Sequence, residues 1–257
     1  MRRSAWTDRP ELAKVAADFG AVSVVLARSD QELRAVQALR ADRFRADKGL
    51  SDLDRFDPFC AHILVQRKHD HLPLAAARFR LLADVAEVEN CYSAQFYDLG
   101  ALAQSGLRLM EIGRICLRKG QEQEADSPRA LLAGLTRAAQ ALAVDMLVGC
   151  ASFSGAQPEQ HKDALRYLQA RHLGPQALRP GKRGGGHYDL KRAAQAPQPQ
   201  DLRHVPALLR LYLGLGGWVS DHAVCDRDLN TLHVFTAVDV QAIPPARLRA
   251  LMMLAQG

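Results

Sequence analysis

Short apolar runs separated by amphipathic stretches set the pattern of this chain. AVSVVLA (Ala21 to Ala27) reads as a buried strand, followed by HILVQ (His62 to Gln66) and LPLAAARFRLL (Leu72 to Leu82). The polar turn around His69 to His71 is too short for a crossover helix, which predicts an antiparallel pair, with Val85 to Val88 extending the meander. LRLMEIGRICL (Leu107 to Leu117) is the longest strand candidate, and DMLVGCASF (Asp145 to Phe153) and TLHVFTAVD (Thr231 to Asp239) follow. The spacing predicts a first helix from Asp8 to Phe19, ended by Gly20. Ser29 and Glu32 form a capping-box pattern opening a second helix with Leu33, Val36 and Leu39 inward. Further helices are predicted from Ser127-Pro128 to about Ala143, from Pro158 to about Ala170, from Pro206 to Leu213, and after Pro244-Pro245. DHAVCDRDLN (Asp221 to Asn230) reads as a loop.

A meander followed by strand-helix-strand-helix is an α/β or α+β pattern, one sheet flanked by helices. A single domain over residues 1–257 is expected. Within it, residues 174–201 form a basic Gly/Pro/Gln-rich insertion, mobile in part and the place for a hinge, and residues 202–257 a C-terminal extension packed on the same domain.

The 257 residues suffice for a substantial core, and 48% apolar with 24% charged residues excludes wholesale disorder. The net charge of +6 favours an anionic partner without defining one. Aromatics are only 6%, too few to interleave with basic groups for base stacking, so no nucleic-acid partner is expected. MRRSAW lacks a following apolar segment and no run of about 18 apolar residues exists, which predicts neither signal peptide nor membrane span. Five cysteines (Cys60, Cys91, Cys116, Cys150, Cys225) without CxxC spacing suit reduced cytoplasmic thiols, and no metal site is expected.

Asp54 and Asp57 sit among Phe56, Pro58 and Phe59 in a loop; they either hold a cationic amine or serve the turn itself. Glu111 and Arg114 interrupt an apolar strand, where unpaired charge is costly. They form either a self-satisfying ion pair or, if Gly113 marks a bulge, a functional pair on one side. GKRGGG (Gly181 to Gly186) lacks phosphate-loop spacing and reads as a flexible loop. Cys60 and His62 read as structural, and the basic groups Arg40/Arg43/Arg45/Lys48, Arg118/Lys119 and Lys182/Arg183 are each compatible with a solvated face.

An Arg-x-x-Arg-Phe helix end (Arg40, Arg43, Phe44), then Asp54 and Asp57, the hairpin, and Glu111 with Arg114 resembles acyl-homoserine-lactone synthases, which have a GNAT-like fold. Longer strings resemble more closely the bacterial ornithine-lipid L-ornithine Nα-acyltransferases: FDPFCAHILV, CYSAQFYDL, MEIGRICL, GCASFSG, PALLRLYLGLGGWVSDHAV and DRDLNTLHVFT, over roughly Arg34 to Val240. Many of those relatives read ELGRSC followed by His-Pro, whereas this chain has EIGRIC followed by Leu117-Arg118-Lys119.

The resemblance implies a GNAT-like acyltransferase fold with a mixed, mostly antiparallel sheet. It implies transfer of a 3-hydroxyacyl chain from the phosphopantetheine of acyl carrier protein to the α-amine of L-ornithine, giving lyso-ornithine lipid, with no tightly bound cofactor. RKGQEQEADSP (Arg118 to Pro128), with one glycine and several acids, is a poor diphosphate cradle and agrees with a carrier-protein donor. Glu111 is then the expected base, Asp54 and Asp57 assist or hold the side-chain amine, and Arg114 holds the carboxylate or orients Glu111. Substrate contacts are expected from Arg40, Arg43, Phe44, Phe59, Arg80, Tyr97, Asp98, Ser152, Asp226 and Asn230, and carrier-protein contacts from Arg118, Lys119, Lys182 and Arg183. Alternatives are glutamine or another amino acid as acceptor, a homoserine-lactone synthase, or a non-enzymatic membrane binder using Pro206 to Trp218. The expected location is cytoplasmic, with peripheral contact at the inner membrane as an option.

Overall fold

A computed structural model describes residues 8–45, 49–120, 126–193 and 198–256. MRRSAW, Lys48, the centre of the acidic RKGQEQEADSP loop and residues 194–197 of the basic segment lie outside the described residues. Along the chain come β1 (Ala17–Phe19), β2 (Val22–Leu26), α1 (Asp30–Phe44), β3 (Ala61–Arg67), β4 (Pro73–Leu82), α2 (Val85–Glu89), β5 (Tyr97–Asp98) and α3 (Gly100–Ala103). Then follow β6 (Leu109–Leu117), α4 (Asp126–Ala141), β7 (Met146–Ser154), α5 (Lys162–Arg171), β8 (Gly181–Lys182) and β9 (His187–Asp189). The last elements are α6 (Ala207–Gly214), β10 (Trp218–Asp226), β11 (Thr231–Asp239) and α7 (Pro245–Gln256). β1 with β2, β2 with β3, β3 with β4, β5 with β8, β7 with β11, and β10 with both β11 and β9 pair antiparallel, whereas β6 runs parallel to β7. This is the mixed, mostly antiparallel arrangement expected of a GNAT-like fold.

The chain groups into two compact units. The first holds residues Met1–Leu81, Ile112–Val144 and Pro245–Gly257. In it β1 to β4 form an antiparallel ladder, with Val25 opposite Leu64 and Leu64 opposite Ala76. Strand residues alternate faces. Leu64 and Ala76 therefore turn one face to α1, where Leu33, Val36 and Leu39 close over them together with Cys116. On the other face α4 packs closely enough that a side chain at Gly134 would collide with Val24. The capping box of α1 is present as read: Glu32 N donates to Ser29 Oγ at 3.2 Å and Ser29 N to Glu32 Oε2 at 2.8 Å.

The second unit holds Leu82–Glu111 and Asp145–Pro244. Its ladder runs from the first residues of β6 through β7, β11 and β10 to β9. One face carries Ala151, Phe153, Leu232, Val234 and Val219 beneath Leu165 and Leu168 of α5 and Leu209 and Leu213 of α6. The opposite face carries Val148, Phe235, Ala237 and Val224, covered by Cys91, Ala94, Tyr97, Leu99 and Leu102.

Several local expectations are corrected. The stretch expected as a first helix is a 3-10 helix (Pro10–Val15) followed by β1, and Gly20, at φ +52°, turns β1 into β2 rather than ending a helix. Val85 to Val88 does not extend the meander; Asp84 accepts a hydrogen bond from Glu87 N and caps α2. DHAVCD belongs to β10, where Val224 and Ala223 are buried, so only Arg227 to Asn230 remain as the turn. Residues 174–201, expected as irregular, contain β8, β9 and two 3-10 helices with Tyr188 and Leu190 buried. Trp218, named with Pro206 onward in the membrane-binding alternative, lies in β10, buried against Phe235.

Candidate functional site

Two polar clusters stand out, one in each unit, and β6 contributes a charged residue to each. In the first unit Arg40 lies on the buried stripe of α1, seven residues after Leu33. Its guanidinium donates to Asp52 Oδ2 (2.9 Å), to the Asp52 carbonyl (2.6 Å), and to Asp57 Oδ1 and Oδ2 (2.6 and 3.1 Å). Arg78 on β4 donates to Asp54 Oδ1 (2.6 Å) and Asp57 Oδ1 (2.9 Å). Arg114 donates to Asp52 Oδ2 (2.9 Å) and Asp54 Oδ2 (3.2 Å). With Arg45 3.4 Å from Asp52 Oδ1, four arginines thus neutralise three aspartates inside low-dielectric surroundings, where charge-assisted bonds are strong.

The arginines and the Asp54 amide hold the Asp57 carboxyl far below the usual carboxylate range, overcoming the upward push of burial. His62 packs beside it with Nε2 3.4 Å from the Asp57 carbonyl. Burial pushes this imidazole down to about 4, against the opposing pull of Asp57. Arg114 has φ +53°, a left-handed conformation rare in a strand interior. The distortion expected at Gly113 is therefore seated at Arg114, and Phe44 lies 5.7 Å from its guanidinium.

In the second unit Glu111 is buried at the start of β6. Its Oε1 accepts from Ser93 N and Ser93 Oγ, both at 2.7 Å, and its Oε2 from Tyr92 N at 3.0 Å. Oε1 thus accepts two of these hydrogen bonds and Oε2 one, and the Cys91 thiol is a further side-chain partner of the carboxylate. The Cys150 thiol reaches Ser93 Oγ at 3.5 Å. Cys91 is pushed up by burial and by the Glu111 carboxylate, which keeps it a thiol. Both charges expected on β6 are thus satisfied by partners distant in sequence: Glu111 by residues 18 and 19 positions earlier, Arg114 by residues 60 and 62 earlier.

The remaining sequence candidates divide sharply. Asp57 and Arg40 are almost wholly buried and committed to each other, so Asp57 does not offer an open carboxylate to an amine; Asp54 keeps its side chain 21% exposed. Tyr97, expected to touch substrate, is fully buried: its hydroxyl donates to the His233 carbonyl (3.0 Å) and pairs with His233 Nδ1 (3.1 Å). Asp226 and Asn230 shape the β10–β11 turn, Asp226 Oδ1 accepting from Asp228 N and Leu229 N while Asn230 adopts φ +50°. Asp98 Oδ1 accepts from Gly100 N at the start of α3. Ser152 is exposed on β7, Arg43 is exposed on α1, and Phe59 is 54% exposed with Arg80 5.4 Å above its ring.

Among the expected carrier contacts, Lys119 is exposed, whereas Arg118 donates to the Pro73 carbonyl and Lys182 lies 3.6 Å from Asp189. Arg183 Nη1 donates to the Ala94 carbonyl at 2.8 Å.

Sequence reasoning missed Asp52, Arg78 and Ser93. A charged residue on the apolar stripe of α1 and another within the apolar run of β4 were the available signals for Arg40 and Arg78. Ser93 carried none.

Residues 34–126 match the family model described as an acetyltransferase (GNAT) domain. An N-acyl amino acid synthase from uncultured soil microbes shares the fold at a TM-score of 0.51, with 12% identity over 91% of this chain and 97% of that one. With the mixed sheet and the distorted β6, these matches define an acyltransferase of GNAT-like fold. Among curated proteins, an L-ornithine N(alpha)-acyltransferase of Rhodobacter capsulatus is 33% identical over 233 residues, 85% of this chain and 90% of the relative. One from Rhizobium meliloti is 30% identical over 245 residues, 85% of this chain and 80% of the relative. The chain belongs to the L-ornithine Nα-acyltransferase family. Among the described residues no helix is long and apolar enough to cross a membrane.

Proposed function

We propose that this enzyme transfers a 3-hydroxyacyl group from the phosphopantetheine thioester of acyl carrier protein to the α-amine of L-ornithine. The amine attacks the thioester carbonyl, the new C–N bond forms, the C–S bond breaks, and the carrier thiol leaves. The amine must first be neutral, and the amide product requires a proton to be removed. Glu111 is the proposed acceptor of that proton, its carboxylate held in place by Tyr92 and Ser93. Exposed Lys119 is the proposed contact for an acidic carrier protein. Such an enzyme works in the cytoplasm and passes a lipid product to the inner membrane by peripheral contact.

The observation that carries this reading is the 33% identity to an ornithine acyltransferase spanning 85% of this chain. The test is mass spectrometry of products formed from 3-hydroxyacyl carrier protein with ornithine, glutamine, lysine and glycine, in the wild type and in Glu111→Gln. N-acyl ornithine as the dominant product, reduced on the order of 10²–10⁴-fold in Glu111→Gln, is expected. Dominant acylation of glutamine would replace the acceptor, and an unimpaired variant would remove Glu111 from the chemistry.

A further inference from the structure

Glu111 is held by backbone and side-chain groups of one short turn, so the placement of its carboxylate is only as good as the placement of that turn. Tyr92 and Ser93 supply the three hydrogen bonds measured above, and residues Ser93–Gln95 form a single 3-10 turn. A turn this short has little stability of its own and must be fixed from outside. Two contacts within the same unit do so. Tyr97 and Asp98 pair as β5 with Lys182 and Gly181 of β8, and Arg183, the next residue, reaches back to the Ala94 carbonyl. The loop that carries Arg183 turns back through Gly184 and Gly186, both at positive φ, which side-chain-bearing residues adopt at a cost.

We propose that Arg183 and Ser93 are positioning residues that act through Glu111: Ser93 orients the carboxylate directly, and Arg183 locks the turn that presents Ser93. This assigns Arg183 a different task from the docking of an acidic partner that its place in a basic, Gly-rich loop suggests. The Ala94 carbonyl is buried, and a guanidinium is well suited to satisfy such a group because it donates while keeping its remaining N–H groups toward water. The Cys150 thiol donates to Ser93 Oγ, which leaves the Ser93 proton for Glu111. The inference rests on the proposed role of Glu111 for its catalytic consequence, but not for its structural one.

The experiment compares wild type, Arg183→Met, Arg183→Lys, Ser93→Ala and Ser93→Thr in two measurements. The first is amide hydrogen exchange at Tyr92 and Ser93, which needs no substrate. Arg183→Met is expected to accelerate exchange by about tenfold or more, the scale of one hydrogen bond to a charged donor, while Arg183→Lys retains most of the protection. The second is steady-state acyl transfer from acyl carrier protein to ornithine. Here Arg183→Met and Ser93→Ala should lower kcat with KM for the carrier unchanged, and Ser93→Thr should restore much of the loss. Unchanged exchange in Arg183→Met, or a raised KM for the carrier at wild-type kcat, would overturn the proposal and return Arg183 to partner docking. Should the wild type acylate no ornithine, the acceptor reading fails by itself, and the exchange measurement still decides the positioning claim.

Discussion

Replacing Arg40 by alanine removes the centre of the buried charge network in the first unit. The guanidinium makes four hydrogen bonds between 2.6 and 3.1 Å to Asp52 and Asp57, and all three side chains are about 1% exposed. Its loss leaves two carboxylates in the interior with Arg45, Arg78 and Arg114 as remaining cations. Breaking a buried ion pair by removing one partner costs about 3–5 kcal/mol, because the remaining charge stays desolvated. At roughly 2–4 °C per kcal/mol for a chain of this size, the calorimetric transition should fall by about 6–20 °C. Arg40→Lys keeps the charge but not the planar fork that spans both carboxylates, and should fall between wild type and alanine. The assay is scanning calorimetry at pH 7 with urea unfolding of each variant. A destabilisation under about 1 kcal/mol for Arg40→Ala, the range of an exposed pair, would refute the claim that this network is a desolvated structural unit.

Stability should also depend on pH in a defined window. Burial holds His62 and His233 down to about 4 in the folded protein, below an unfolded imidazole near 6.5. Their contribution is complete above about pH 6.5 and is lost as pH falls toward 4, since the unfolded chain then binds more protons. Asp57, depressed in the folded state, adds a further loss only below about pH 4. Urea midpoints that stay level between pH 7 and pH 5 would contradict the imidazole part. Ser29→Ala removes one half of the α1 capping box and should cost about 0.5–2 kcal/mol by urea unfolding, with no loss expected if the cap is merely decorative. Tyr97→Phe deletes a buried hydroxyl bonded to His233 and should lower stability by about 0.5–1.5 kcal/mol without changing KM for the acceptor; a selective rise in that KM would restore Tyr97 to the substrate.

Glycines, prolines, caps and apolar periodicity are local signals, and the elements they control were legible. The capping box of α1, the β3–β4 hairpin, the long β6 and the helix after Pro244-Pro245 all occur where the pattern places them. Errors arose where a short segment takes its conformation from its neighbours. Ala17–Phe19 is a strand because it pairs with β2, and DHAVCD is one because β11 and β9 flank it and absorb its polar alternation. A three-residue or polar strand has too little intrinsic preference to declare itself.

The same division holds for the candidate site residues. Charge inside the apolar β6 run marked Glu111 and Arg114 from sequence alone, because unpaired charge in such a position is too expensive to be incidental. The partners that make those charges tolerable were not legible. Arg40, Asp52, Asp54, Asp57, Arg78 and Arg114 are drawn from four separate segments, and Ser93 reaches Glu111 only because the turn after Cys91 folds over the face of β6 and β7. Residue type and spacing therefore determined which elements form and that two charges on β6 require an explanation. Only the tertiary structure decided which charges neutralise one another, which turn holds the Glu111 carboxylate, and that Tyr97 and Asp57 are interior groups. Hydrogen-bond geometry and desolvation depend on distances between residues far apart in the chain, and local periodicity carries no information about those distances.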